Sequence, residues 1–137
     1  MKKLLFSTRY ANWSFNLATL VLRVGFGVLM AYHGFGKLTK YAEMKGSFMN
    51  FMGLGSSTSL TLTIFAEFVC SILLIAGLFT RFAAFVLLFT ACIIVFKAHE
   101  MDIFGKAEAG THYLLAYTAI LLLGAGKFSL DAAIGGK

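Results

Sequence analysis

Between Leu17 and Gly36 a single charged side chain, Arg23, interrupts an otherwise predominantly apolar run. A stretch of about 20 such residues is long enough, as a helix, to cross the hydrocarbon core of a bilayer. Three more apolar segments follow, Leu60–Phe79, Phe82–Phe96 and Tyr113–Gly126, and Glu67 is the one charged residue inside them. The chain is 59% hydrophobic and only 13% charged. A soluble domain carries roughly 25% charged residues, so these side chains cannot cover a water-facing surface, and the bilayer is the simpler solvent.

The expected fold is therefore all-α: an integral membrane four-helix bundle forming a single domain over residues 1–137. The last two segments are short, and flanking groups extend them: Arg81 and Lys97 snorkel to the interface around the third, while Thr111 and Lys127-Phe128 bracket the fourth. The spans become 17–37, 60–79, 82–97 and 112–127. Thr80-Arg81 reads as the tight turn of an antiparallel hairpin. In the first long connection Met44, Phe48, Phe51 and Met52 recur at helical spacing among polar residues, which predicts a short interfacial helix ended by Gly53-Leu54-Gly55.

The opening Met1-Lys2-Lys3-Leu4-Leu5-Phe6 imitates a signal peptide, but Arg9, Asn12 and Asn16 interrupt it, so the first helix is expected to stay in the mature protein. The net charge of +6 is scattered between apolar runs with no basic cluster, which argues against nucleic acid as a partner. With four spans both termini share a side with Arg81. That side holds Lys2, Lys3, Arg9, Arg81, Lys127 and Lys137, against Lys37, Lys40, Lys45, Lys97 and Lys106 opposite, a lean toward cytoplasmic termini.

Ionisable groups at membrane depth are costly and face the bundle interior, where they find partners. Arg23 and Glu67, at depths differing by about 6 Å at 1.5 Å per residue, are expected to pair. Such a pair either locks two helices or forms a working centre. Arg23, Gly27, Met30, Gly34 and Lys37 fall on one stripe of the first helix, and the glycines permit close approach by another helix or by a ligand. His33, Lys37, His99, Glu100, Asp102, His112, Tyr113 and Tyr117 gather near the opposite membrane surface. The three histidines lack the spacing of a metal site, so no metal is expected, but residues of this kind offer hydrogen bonds to a quinone head group. Cys70 and Cys92 lie at matching depths about the hairpin; they are either a redox dithiol or small buried hydrophobes, and no nearby charge activates them.

Leu22-Arg23-Val24-Gly25-Phe26-Gly27, then His33-Gly34-Phe35-Gly36-Lys37-Leu38, resembles the first helix of the DoxX family. Glu67 ahead of Leu73-Leu74-Ile75-Ala76-Gly77-Leu78-Phe79-Thr80-Arg81 looks like the family's second helix, and Gly124-Ala125-Gly126-Lys127-Phe128-Ser129-Leu130-Asp131 resembles its terminal Gly-x-Gly-x-x-Ser-x-Asp signature. The resemblance implies a four-helix protein of the bacterial inner membrane associated with redox enzymes, one branch being the small-subunit type of thiosulfate:quinone oxidoreductase. The site candidates read from the residues themselves are Arg23, Gly27, His33, Lys37, Glu67, His112, Tyr113 and Tyr117. A quinone would be the cofactor, and the partners a soluble or membrane redox protein or a second copy of the chain. The contrasting expectation is a non-catalytic carrier, assembly factor or structural subunit using the same cavity.

Overall fold

The computed structural model describes residues 5–98 and 100–135, and within them all regular structure is helical. His99 and the terminal cations Lys2, Lys3 and Lys137 lie outside the described residues. The first helix, α1, is Asn12–Thr39. It buries Asn16, Thr19, Arg23, Gly27, Met30 and Gly34, a stripe stepping by three or four residues, while Val21, Val28, Leu29 and Tyr32 stay exposed. Polar and small groups inside, large apolar groups outside, is the inverse of a soluble helix and suits a lipid surround.

After α1 comes α2, the four-residue helix Tyr41–Met44. It occupies the connection where a short helix was expected but sits a turn earlier, because the chain leaves helical geometry at Lys45–Phe48 and turns at Gly53 (φ +75°) and Gly55 (φ +93°). Helix α3, Ser56–Ala76, follows as one continuous span whose middle, Phe65–Cys70, is a π-helical turn. It stops at Gly77, where φ +71° and bonds from the Gly77 and Leu78 amides to Leu74 and Leu73 close the helix.

Helix α4 runs Thr80–Ile93 and continues as a second π-helical turn over Ile94–Ala98. Helix α5 is Glu108–Leu123 and α6 is Leu130–Gly135. Among the described residues three helices are long and apolar enough to cross a membrane: Asn12–Thr39, Ser56–Ala76 and Thr80–Lys97. Helix α5 has 16 residues, starts before the expected 112 and ends at Gly124 rather than 127. Alone it covers about 24 Å, short of the ~30 Å hydrocarbon thickness.

The core lies where α1, α3, α4 and α5 meet. Met30, Cys70, Leu74, Leu87, Tyr117 and Ile120 pack there with Ala83, Ala84 and Ala91, whose small side chains let α5 lie close along α4.

The hairpin turn is Gly77–Phe79, and Thr80 already belongs to α4. This corrects the expected Thr80-Arg81 turn, and the reason lies far along the chain. The carboxylate of Asp131 accepts the Phe79 and Thr80 amides at 2.8 and 2.9 Å, capping α4 one residue ahead of the expected turn. The Asp131 amide in turn donates to Gly77 O at 2.8 Å, stitching α6 to the hairpin. Partial burial pushes the Asp131 carboxyl up, but the Thr80 and Phe79 donors and the Arg23 charge outweigh that and hold it below the ordinary carboxylate value.

Asp131→Ala is expected to cost about 1–2 kcal/mol through loss of the α4 cap. Because the folded carboxyl titrates below the unfolded one, its contribution is present above pH ~4 and fades as pH falls through the depressed folded value. Unfolding in detergent at neutral and acidic pH checks both. The Asp131→Ala protein should lose stability at neutral pH and show a weaker acid dependence than the wild type.

Candidate functional site

The antiparallel register of α1 on α3 is set by two glycines. A Cβ on Gly34 would lie 2.6 Å from the Phe68 amide nitrogen and 2.7 Å from the Glu67 carbonyl carbon. A Cβ on Gly27 would meet the Ile75 side chain at 2.6 Å and Ser71 O at 3.2 Å. Gly34 therefore sits against the π-helical turn that carries Glu67, and Lys37, one turn further along the same stripe, meets that carboxylate. The Lys37 ammonium donates to Glu67 Oε2 at 2.5 Å, with the Glu67 side chain 3% exposed and that of Lys37 24%. A charge-assisted bond this deep in apolar surroundings is strong for its type.

The expected Arg23–Glu67 pair is not formed. The glycine register carries Arg23 beyond Glu67 to the far end of α3, where a Cβ on Gly77 would strike its Nη1. The fully buried guanidinium donates to Leu74 O at 3.1 Å, Ile75 O at 3.3 Å and Phe128 O. Leu74 and Ile75 belong to the last turn of α3, where the helix dipole favours a cation, and Leu74 O accepts from Arg23 alongside the Gly77 amide that closes the helix. Arg23 thus ties α1, α3 and the loop before α6 together, away from the Lys37–Glu67 pair.

A cavity of about 570 Å³ opens beside that pair. Most of its wall is apolar, from Met30, Phe48, Phe51, Ala66 and Phe89, and the charged or hydrogen-bonding residues lining it are Lys37, Glu67, His33, Tyr113, Lys106, Ser59, Thr63 and Thr90. Its size falls in the range of small-molecule sites, which are mostly apolar with a few convergent polar groups. Tyr113 is the hinge of an aromatic series: its ring centroid lies 6.1 Å from His33 edge-on, 5.8 Å from Phe26 edge-on and 5.8 Å from Tyr117 in a stack. Tyr117 is buried beneath Tyr113, off the cavity wall.

Five of the sequence candidates, His33, Lys37, Glu67, Tyr113 and Tyr117, are brought to this region, the last as support. Gly27 serves helix packing. His112 is exposed and does not line the cavity, because successive helix positions diverge by about 100° and Tyr113 takes the inward face. Cys70 is buried in the core, Cys92 is half-buried, and both are free thiols. Among the described residues no group of His, Cys, Asp and Glu is arranged to hold a metal ion. Sequence reasoning missed Lys106; the signal available was a cation two residues ahead of the fourth helix. A wider groove of about 1090 Å³ at the hairpin end is lined by Arg81, Lys127 and Asp131 and contains none of the site candidates.

A bundle of membrane-crossing helices around a mostly apolar cavity, with a lysine–glutamate pair in its wall, defines a helical integral membrane protein with an internal cavity. The DoxX family model matches residues 18–100, and the chain belongs to that family. It is 32% identical over 123 residues to a Bacillus subtilis (strain 168) protein named "Putative oxidoreductase CatD", covering 88% of this chain and 89% of that one. No solved structure matches the chain significantly.

Lys37→Met leaves a carboxylate buried without its counter-ion and is expected to destabilise the bundle by about 3–5 kcal/mol. Adding Glu67→Leu should recover most of that loss. Denaturant titrations of the two variants in detergent micelles check this, and equal losses in both would contradict it.

Proposed function

We propose that this chain is a membrane subunit of an oxidoreductase system that binds a quinone head group beside the Lys37–Glu67 pair. The observation carrying this reading is the Lys37–Glu67 ion pair, with the His33 and Tyr113 rings beside it, in the wall of a mostly apolar cavity. A quinone/quinol couple asks for that combination: donors for the quinone carbonyl oxygens, a carboxylate to take the proton released when the quinol is oxidised, and apolar walls for the ring. Lys37, His33 and Tyr113 supply the donors, and Glu67 is the proton acceptor. The name of the Bacillus subtilis relative supports the redox assignment.

In this reading α5 completes a fourth crossing, with Lys106 and Lys127 at its two ends reaching the interfaces. The protein resides in a bacterial inner membrane with its termini in the cytoplasm, where the lean of the basic residues puts them. Electrons pass to or from a redox partner, soluble or membrane-bound, or a second copy of the chain. The alternative, a non-catalytic carrier or assembly factor, draws on the same apolar cavity and is separated from the quinone reading by what the cavity retains.

Protein in nanodiscs is expected to bind an added quinone, with Lys37→Gln and Tyr113→Phe each weakening affinity about tenfold or more, the effect of losing one hydrogen bond involving a charged or buried group. Ultraviolet difference spectra give the binding curves. Retention of phospholipid with no quinone binding would favour the carrier instead.

A further inference from the structure

Helices α3 and α4 pack closely from their shared hairpin up to the π-helical turn, and there the packing ends. Phe65–Cys70 lies against α4, whereas Ser56–Ile64, the outer part of α3, makes at most marginal contact with it. The helices part just where the cavity lies. Leu62 and Phe65 on α3 and Phe89 on α4 line the cavity yet are 50%, 44% and 53% exposed. Behind them Ala66 and Thr90, at 4% and 9%, line the same space from within. Side chains that face both the cavity and the exterior mark the rim of an opening.

That opening faces lipid. Leu62, Phe65 and Phe89 lie about 9–14 Å below the outer ends of their helices at 1.5 Å per residue, within the hydrocarbon, and none is polar. The end nearer water is lined instead by Phe48, Met49 and Phe51 of the first long connection. The Phe51 amide donates to Ser59 Oγ at 2.9 Å, its ring meets Phe89 edge-on at 6.4 Å, and the Lys97 ammonium sits 5.1 Å above it. A cation held against an aromatic face fastens this connection.

We infer that the cavity is entered sideways from the bilayer, through the cleft between α3 and α4 framed by Leu62, Phe65 and Phe89, and that its ligand is a long-tailed, membrane-dissolved quinone whose isoprenoid chain lies in that cleft. The inference rests on the quinone reading for the head group and adds the class of quinone and its route. Sideways entry lets the tail stay among apolar groups throughout, so no stretch of it crosses water on the way in. It also keeps the Lys37–Glu67 pair away from bulk solvent while the ligand exchanges.

Two photoreactive quinones test this on the full chain in nanodiscs, one with the reactive group at the end of its isoprenoid tail and one with it on the ring. The tail probe is expected to label peptides containing Leu62–Phe65 and Phe89–Ile93, and the ring probe the peptide containing Tyr113, both suppressed by excess unlabelled long-tailed quinone. Widening the residues at the rim with Leu62→Trp and Phe89→Trp should slow capture of the long-tailed quinone about tenfold or more. Ring labelling at Tyr113 that competes away, with tail labelling elsewhere or unaffected by the tryptophans, overturns the sideways route and leaves the quinone reading standing. No suppressible labelling by either probe overturns both.

Discussion

At Gly34 the backbones of α1 and α3 approach so closely that even a methyl group would collide with the Phe68 amide. That contact fixes how far α1 slides along α3, and the placement of every charge in the interior follows from it. Lys37 lands on Glu67, and Arg23 lands on the last-turn carbonyls of α3. Hydrocarbon offers neither ion an alternative, so a register error would strand two charges at once. The π-helical turn at Phe65–Cys70 belongs to the same constraint. It carries the Glu67 and Phe68 backbone that Gly34 rests on, and it is also where α3 begins to part from α4. Such turns often coincide with working sites because they re-aim side chains within an otherwise straight helix.

The two ends of the bundle do different work. At the hairpin end, Arg23, Asp131 and the Gly124–Ser129 loop interlock: Asn16 Oδ1 accepts the Lys127 amide at 3.0 Å, the Ser129 hydroxyl donates to Gly126 O at 2.7 Å, and a Cβ on Gly126 would strike the Thr19 hydroxyl. These bonds hold α1, the hairpin and the segment before α6 together. At the other end the Lys37–Glu67 pair leaves donors unused, and the space beside it stays open.

Much of this was legible in the residues. The stripe Arg23, Gly27, Met30, Gly34 is buried as its 100° periodicity indicates, with Lys37 half-buried at its end, and the three long spans fall close to the apolar runs. The motif resemblance pointed to the family that the comparisons bear out. The partner of Glu67 was not legible, because depth counted from the ends of apolar runs ignores the glycine contact that sets the slide between helices. Helix α3 begins at Ser56, inside what reads as a polar loop, which shifts that count further. The Asp131 cap was not legible for a different reason: a carboxylate that closes a helix about fifty positions upstream leaves no local pattern. His112 and Tyr113 show the limit at a single step, since both belong at the same membrane surface and only the helix rotation decides which one faces inward.

The bond from Arg23 to Phe128 O joins residues 105 positions apart. On a ribosome adding about 5–20 residues per second, the arginine is made on the order of 5–20 s before the carbonyl that receives it. For that interval the guanidinium has no completed bundle to enter, and the α3 carbonyls arrive only after about half the delay. The first helix must wait at the interface, in water, or in the care of the insertion machinery. The segment around Phe128 therefore acts as a closing stitch for the first helix, and the order of synthesis becomes part of how the fold is reached.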